Sequence, residues 1–256
     1  MIGSVKKKRE WKLENHPEAY GRQHDAIASV MGFAKRYGEQ HALVDISFLI
    51  REAEVLGLIG PNGAGKTTLL EAIAGLVPVD AGDVLWRGSR LAPAQRRESI
   101  FYLPDGLRPW DDQFAIRVVE FFAAVYQRPD DVVSGIVAAL GLGAVLRKRV
   151  QALSKGYARR LMLALALITP HPLVLMDEPF DGFDLRQTRE IMAVLRKVAA
   201  EGRTLLLAIH QLSDAERVCD RFVLLADGRL CGIGTLAELS GRTGRSRLEE
   251  VFLALT

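Results

Sequence analysis

Only 2 cysteines occur in this chain of 256 residues, and they exclude two classes of function. Cys219 and Cys231 have no metal-ligand spacing and make no disulfide framework, so they fit a reducing cytosol as small apolar residues. Nor is there any stretch near the roughly 18 consecutive apolar residues of a membrane-crossing helix. The most apolar region, Leu161 to Met176, is broken by Thr169-Pro170-His171-Pro172. The basic run Lys6-Lys7-Lys8-Arg9 has no apolar core behind it, unlike a signal peptide. A net charge of +3 is too small to point to nucleic acid. Internal repeats and low-complexity linkers are also missing. What remains is an ordinary globular composition, 49% hydrophobic and 25% charged, in a chain long enough to bury a sizeable core.

The stretch Gly60-Pro61-Asn62-Gly63-Ala64-Gly65-Lys66-Thr67-Thr68 fits the phosphate-binding pattern G-x-x-x-x-G-K-[ST]. The apolar run Val55 to Ile59 ahead of it reads as a buried strand, and Leu69 to Ala74 after it as a helix. That strand–loop–helix context is the one the motif requires. Its glycines let the backbone turn tightly and aim N–H groups inward at phosphate oxygens. A helix starting near Gly65 adds its positive dipole end. Lys66 is expected to reach the outer phosphates, and the Thr67 hydroxyl to ligate magnesium. The alternative is a glycine-rich turn with no ligand, which the Lys66-Thr67 pair disfavours.

The rest of the chain supplies candidate partners for that loop. Residues 1–25 are polar and lack periodicity, which reads as a mobile extension; its basic run either solvates the tail or touches acidic lipid. Strand patterns follow over Ala28–Ala34 and Ala42–Ile50, with Tyr37-Gly38 in a turn between them, where Tyr37 can pack on the sheet edge or stack on a base. Short strands are predicted at Asp83–Trp86 and Ser99–Leu103, the second ending at Pro104-Asp105-Gly106. Val118, Val119, Phe122 and Val125, then Val132, Val133, Ile136 and Leu140, recur at helical spacing and are expected in the core. Leu153-Ser154-Lys155-Gly156-Tyr157 reads as a turn opening an apolar helix over Leu161–Ile168, with Ser154 as its N-cap.

Leu173 to Met176 is a buried strand that delivers Asp177 and Glu178 to its end, over the ligand crevice of an open parallel sheet. Asp177 can hold magnesium through water, and Glu178 can orient and deprotonate an attacking water. Phe180 to Asp184 turns into a helix carrying Ile191, Val194, Leu195 and Val198. A second buried strand, Thr204–Ile209, ends at His210, which alone of the 5 histidines is expected to contact the terminal phosphate. Phe222–Leu225, Asp227-Gly228 and Arg229–Cys231 form a hairpin.

In this order the motifs resemble the ATP-binding subunit of ABC transporters, over residues 26–256. The resemblance implies an α/β fold: a P-loop NTPase core with a mostly parallel sheet, an antiparallel β edge subdomain and a helical signature subdomain at about residues 113–161. It assigns Asp177-Glu178 to the Walker B pair, Asp181 to Asp184 to the D-loop, His210 to the switch histidine and Tyr37 to adenine stacking. It further implies ATP and magnesium as cofactors, and a head-to-tail pair in which Ser154, Lys155 and Gly156 of one subunit complete the site of the other. Its partner is a separate transmembrane permease, at the cytoplasmic face of the membrane. The ending Leu248 to Thr256 looks like the export subfamily.

The sequence departs from the family pattern at four positions. Lys155 and Tyr157 replace Gly and Gln of the signature, and Leu185 stands where proline is usual. Asp105 occupies the glutamine position of the Q-loop; we expect it beside the metal, with a turn-capping role as the alternative. Two other functions fit parts of the pattern. A soluble non-transport ATPase of this class would carry long heptad arms or a second cassette, and neither is present. Glu178 and His210 argue against a regulatory module without turnover, while Asp105 fits one. A GTPase would need a guanine-reading Asn-Lys-x-Asp, which is absent.

Overall fold

A computed structural model describes residues 26–256, so the expectations for the N-terminal 25 lie outside the described residues. In chain order the strands and helices are β1 Ala26–Tyr37, β2 Gln40–Arg51, β3 Val55–Ile59, α1 Lys66–Ala74, β4 Ala81–Trp86, β5 Ser89–Arg90, α2 Pro93–Arg96 and β6 Ile100–Leu103. Then come α3 Ala115–Val125, α4 Asp130–Ala139, α5 Lys155–Ile168, β7 Leu173–Asp177, α6 Leu185–Ala200 and β8 Thr204–Ile209. The chain closes with α7 Leu212–Val218, β9 Arg221–Ala226, β10 Arg229–Gly234, α8 Leu236–Thr243 and α9 Leu248–Leu255. Among the described residues no helix is long and apolar enough to cross a membrane.

Two sheets result. An antiparallel one runs in the order β2-β1-β4-β5, and a larger one in the order β10-β9-β3-β8-β7-β6. In the larger sheet every pairing is parallel except the β9–β10 hairpin. The runs Val55–Ile59, Leu173–Asp177 and Thr204–Ile209 are buried throughout because this sheet is covered on both faces, which removes the usual apolar–polar alternation. Alternate residues divide between two cores. Val174, Met176, Leu205 and Leu207 pack with α3, α5 and α6, whereas Leu173, Leu175, Leu206 and Ala208 pack with α1 and the antiparallel sheet.

Parallel pairing sends the C-terminal ends of β3, β6, β7 and β8 to one edge. Ile59 lies opposite Ile209, Asp177 opposite Ala208 and Leu103 opposite Met176. The P-loop, the Asp105 turn, Glu178 and His210 all leave from that edge, the usual place for a ligand in open α/β sheets.

Two local expectations change. The helix predicted from Leu161 starts at Lys155, because the Ser154 side chain already accepts a hydrogen bond from the Tyr157 N–H at 3.3 Å. The Lys155-Gly156 pair is therefore in the first turn of α5, and Ser154 is its N-cap as the sequence predicts. Val125, expected in the core, is exposed although it lies on nearly the same face of α3 as buried Val118; it is the last residue of the helix. Helical spacing marks a face without saying how far along the helix that face is covered.

Candidate active site

The loop between β3 and α1 holds its shape by sterics. Gly63 and Gly65 have φ of 83° and 97°, in the left-handed region open to glycine. A Cβ at Gly65 would lie 2.5 Å from the Ala42 carbonyl oxygen, and one at Gly60 would lie 2.2 Å from that of Leu225. The loop thus sits against β2 and β9 at distances that admit no side chain. Lys66 Nζ donates to the Gly60 and Pro61 carbonyls at 2.8 and 3.2 Å, which curls the ammonium over the loop. Burial pushes Lys66 below the usual lysine range, while Glu178 and Asp177 oppose the shift.

A cleft of about 430 Å³ opens beside this loop. Its walls bring together Tyr37, Asn62, Lys66, Thr67, Asp105, Asp177 and Glu178. Thr67 Oγ1 donates to Asp177 Oδ2 at 2.7 Å. Burial lifts the Asp177 carboxyl above the usual range, the Thr67 hydrogen bond pulls it back, and Asp105 adds to the rise. A hydroxyl–carboxylate pair in the cleft, with Asp177 buried and Thr67 exposed, suits a hard divalent cation. Among the described residues no group of three or more His, Cys, Asp or Glu side chains forms a metal cage. Such an ion would therefore complete its shell with phosphate oxygens and water, as magnesium does.

Glu178 stands at the far side of the cleft. His210 Nδ1 lies 2.6 Å from Glu178 Oε2, joining the ends of β7 and β8. Glu178 has φ of 47°, a left-handed conformation that costs a non-glycine residue roughly 1–2 kcal/mol. Its N–H is held by the Ala208 carbonyl at 3.0 Å. His210 itself faces a second hollow, of about 250 Å³, with Asp181, Gly182, Phe183 and Gln211.

Ser154, Lys155 and Gly156 do not line the P-loop cleft. Lys155 Nζ instead pairs with Asp181 Oδ2 at 2.9 Å, a bond that holds the Asp181 carboxyl below the usual carboxylate range. Tyr37, 49% exposed, ends β1 with Lys35 Nζ 5.1 Å from its ring centroid, so one ring face is taken by a cation.

The comparisons with known proteins agree with this geometry. The family described as ABC transporter matches residues 43–181, more than half of the chain. The chain belongs to the ABC transporter family. A Nod factor export ATP-binding protein I from Ralstonia nicotianae is 35% identical over 221 residues, which span 83% of this chain and 68% of that protein. A human ATP-binding cassette sub-family A member 10 is 34% identical over 219 residues, but the chain spans only 14% of its length. The solved structure of an ATP-binding subunit of an ABC transporter overlays with a TM-score of 0.81 at 28% identity, covering 90% of this chain and 99% of that one. The chain is accordingly an ATP-binding, ATP-hydrolysing domain of the ABC type.

One residue of this ABC ATPase escaped the sequence reading. Arg159 is buried beneath the catalytic edge, where its Nη2 donates to the Asp177 carbonyl at 2.6 Å and also to the Glu178 carbonyl. The same nitrogen lies 3.7 Å from Asp105 Oδ1. A cation just ahead of the apolar run Leu161–Ile168 was a visible signal, but nothing local said which way it pointed. Gln40 and Ala42, at the start of β2, also line the cleft and carried no signal at all.

Proposed function

We propose that this ABC ATPase is one half of a head-to-tail pair that energises a separate transmembrane permease, for export, from the cytoplasmic face of the membrane. The observation that carries the proposal is the separation of the two anion-binding helix ends. The P-loop cleft is walled by the N-terminus of α1, while Ser154 and Lys155 lie exposed at the N-terminus of α5, outside that cleft. A second copy, or a related chain, turned head to tail would bring Ser154, Lys155 and Gly156 onto the phosphates and close the cage. Export is supported by the Nod factor relative, whose name states it. A permease partner is supported by the exposed apolar side chains Leu107, Trp110, Phe114, Phe121 and Val125, which continue from the Asp105 turn along α3. Trp110 and Phe121 stack edge to face at 6.0 Å within that patch.

Within each site the P-loop from Gly60 to Thr68 cradles the phosphates and Tyr37 offers its free ring face to adenine. Thr67 and Asp177 would hold magnesium, which would neutralise charge on the phosphates. Asp105, on the wall of the same cleft, would add negative charge on the side of the metal. Glu178 takes the proton of the attacking water, and His210 holds the Glu178 carboxylate and reaches the terminal phosphate.

Mixing inactive Lys66→Ala with inactive Ser154→Arg should restore part of the ATPase activity, because one composite site of the mixed pair is intact. The proteins are taken from detergent-solubilised membranes, where a permease should co-purify. Mixed pairs that form yet stay inactive count against shared sites. For Asp105, the expectation is that Asp105→Asn raises the magnesium concentration at half-maximal activity; an unchanged value removes it from the metal side.

A further inference from the structure

Successive carbonyls along an extended strand point to opposite sides, so one donor ordinarily meets only every second one. At the end of β7 that alternation fails. Glu178, with φ of 47°, turns its carbonyl to the side of the Asp177 carbonyl, and Arg159 Nη2 donates to both. The guanidinium comes from the second turn of α5 with its side chain 8% exposed. Burial pushes Arg159 below the usual arginine range, and Asp105, then Asp181, Asp177 and Glu178 oppose the shift. Among the described residues Asp105, 51% exposed, is its one carboxylate within ion-pair distance, at 3.7 Å. Arg159, Asp105, Lys155 and Asp181 also share a small cleft, where the turn after β6, the start of α5 and the turn after β7 converge.

We propose that Arg159 is the positioning residue that fixes the aim of Glu178, and that the Asp105 turn acts on the catalytic centre through it. A left-handed non-glycine residue persists only where its surroundings over-determine it. Here the Ala208 carbonyl holds the Glu178 N–H, His210 holds the carboxylate, and Arg159 holds the carbonyl. Without the third hold, the peptide after Glu178 can rotate back and the carboxylate loses its direction. Movement of the Asp105 turn changes the charge that faces the guanidinium, and so the grip on both carbonyls. This accounts for aspartate at a position where the family pattern has a neutral glutamine: an acid can pair with the buried arginine beneath it.

The proposal rests on Glu178 being the base, and the test keeps the two apart. Arg159→Lys retains the charge but loses the rigid fork. Its kcat should fall by about 10-fold to 100-fold, the usual cost of a small misplacement of a reacting group. Equilibrium binding of a fluorescent ATP analogue should be unchanged. In a Glu178→Gln background the same substitution should leave the residual rate as it is, because groups that act as one unit are not additive. Asp105→Asn, an exposed change that spares the fold, should lower kcat at saturating magnesium and add no further loss to Arg159→Lys. The proposal is overturned if Arg159→Lys lowers the Glu178→Gln residual rate by its wild-type factor. It is equally overturned if ATP binding weakens as much as kcat falls. Should Arg159→Lys not fold, an undiminished kcat in Asp105→Asn overturns it. Failure of the base assignment itself shows in Glu178→Gln alone, as a single variant of undiminished rate.

Discussion

Glu178→Gln should keep ATP binding and lower turnover by about 10²–10⁴-fold, the usual contribution of a general base. The amide has the shape of the carboxylate and can still hydrogen-bond to His210, whose Nδ1 lies 2.6 Å from Glu178 Oε2. The main-chain holds on residue 178 do not involve its side chain, so the left-handed conformation survives the change. What is lost is a proton acceptor at the wall of the P-loop cleft. Phosphate release measured beside nucleotide binding separates the two effects. A variant as fast as wild type refutes the role.

Arg221→Ala should destabilise the fold by about 3–5 kcal/mol, because it leaves a buried charge without its partner. Arg221 Nη1 donates to both Glu54 oxygens at 3.1 Å, with the two side chains 6% and 7% exposed. Glu54 Oε1 also accepts from the Arg51 N–H at 2.6 Å, so the pair pins the turn before β3 to the start of β9. Burial already raises the Glu54 carboxyl above its ordinary value of 4.5, against the pull of Arg221. Removing the arginine raises it further. Below the unfolded-state value both states are protonated and the penalty is smallest. As the pH rises the unfolded state ionises first, so stability is lost until the pH passes the folded value. Urea unfolding of wild type and variant should therefore differ most near neutral pH and less at about pH 5, close to the ordinary carboxylate range. A difference independent of pH would mean that lost packing, rather than the stranded carboxylate, sets the cost.

The two effects also locate what was legible beforehand. Glu178 and His210 could be found because each follows a strand with a run of consecutive apolar residues, and such runs mark a sheet covered on both faces. The Glu54–Arg221 pair could not, since its members stand 167 positions apart and each looks like an ordinary surface charge.

Much of this chain was determined by its sequence alone. The P-loop is set by local sterics, with Gly63 and Gly65 in conformations that other residues resist. Ser154 and Asp184 start α5 and α6 by accepting N–H groups three residues on, and Gln187 returns the bond to Asp184. These are contacts between near neighbours, and their energies are written in a few consecutive residues. Only the tertiary structure decided that Asp105 would face Arg159, that one guanidinium would take two successive carbonyls, and that Lys155 would bind Asp181 rather than its own P-loop cleft. Each of those depends on strand order and register across a parallel sheet. Partners there are brought together by the burial of apolar faces, which is non-directional, and no local pattern of residue types says which charged side chains will meet.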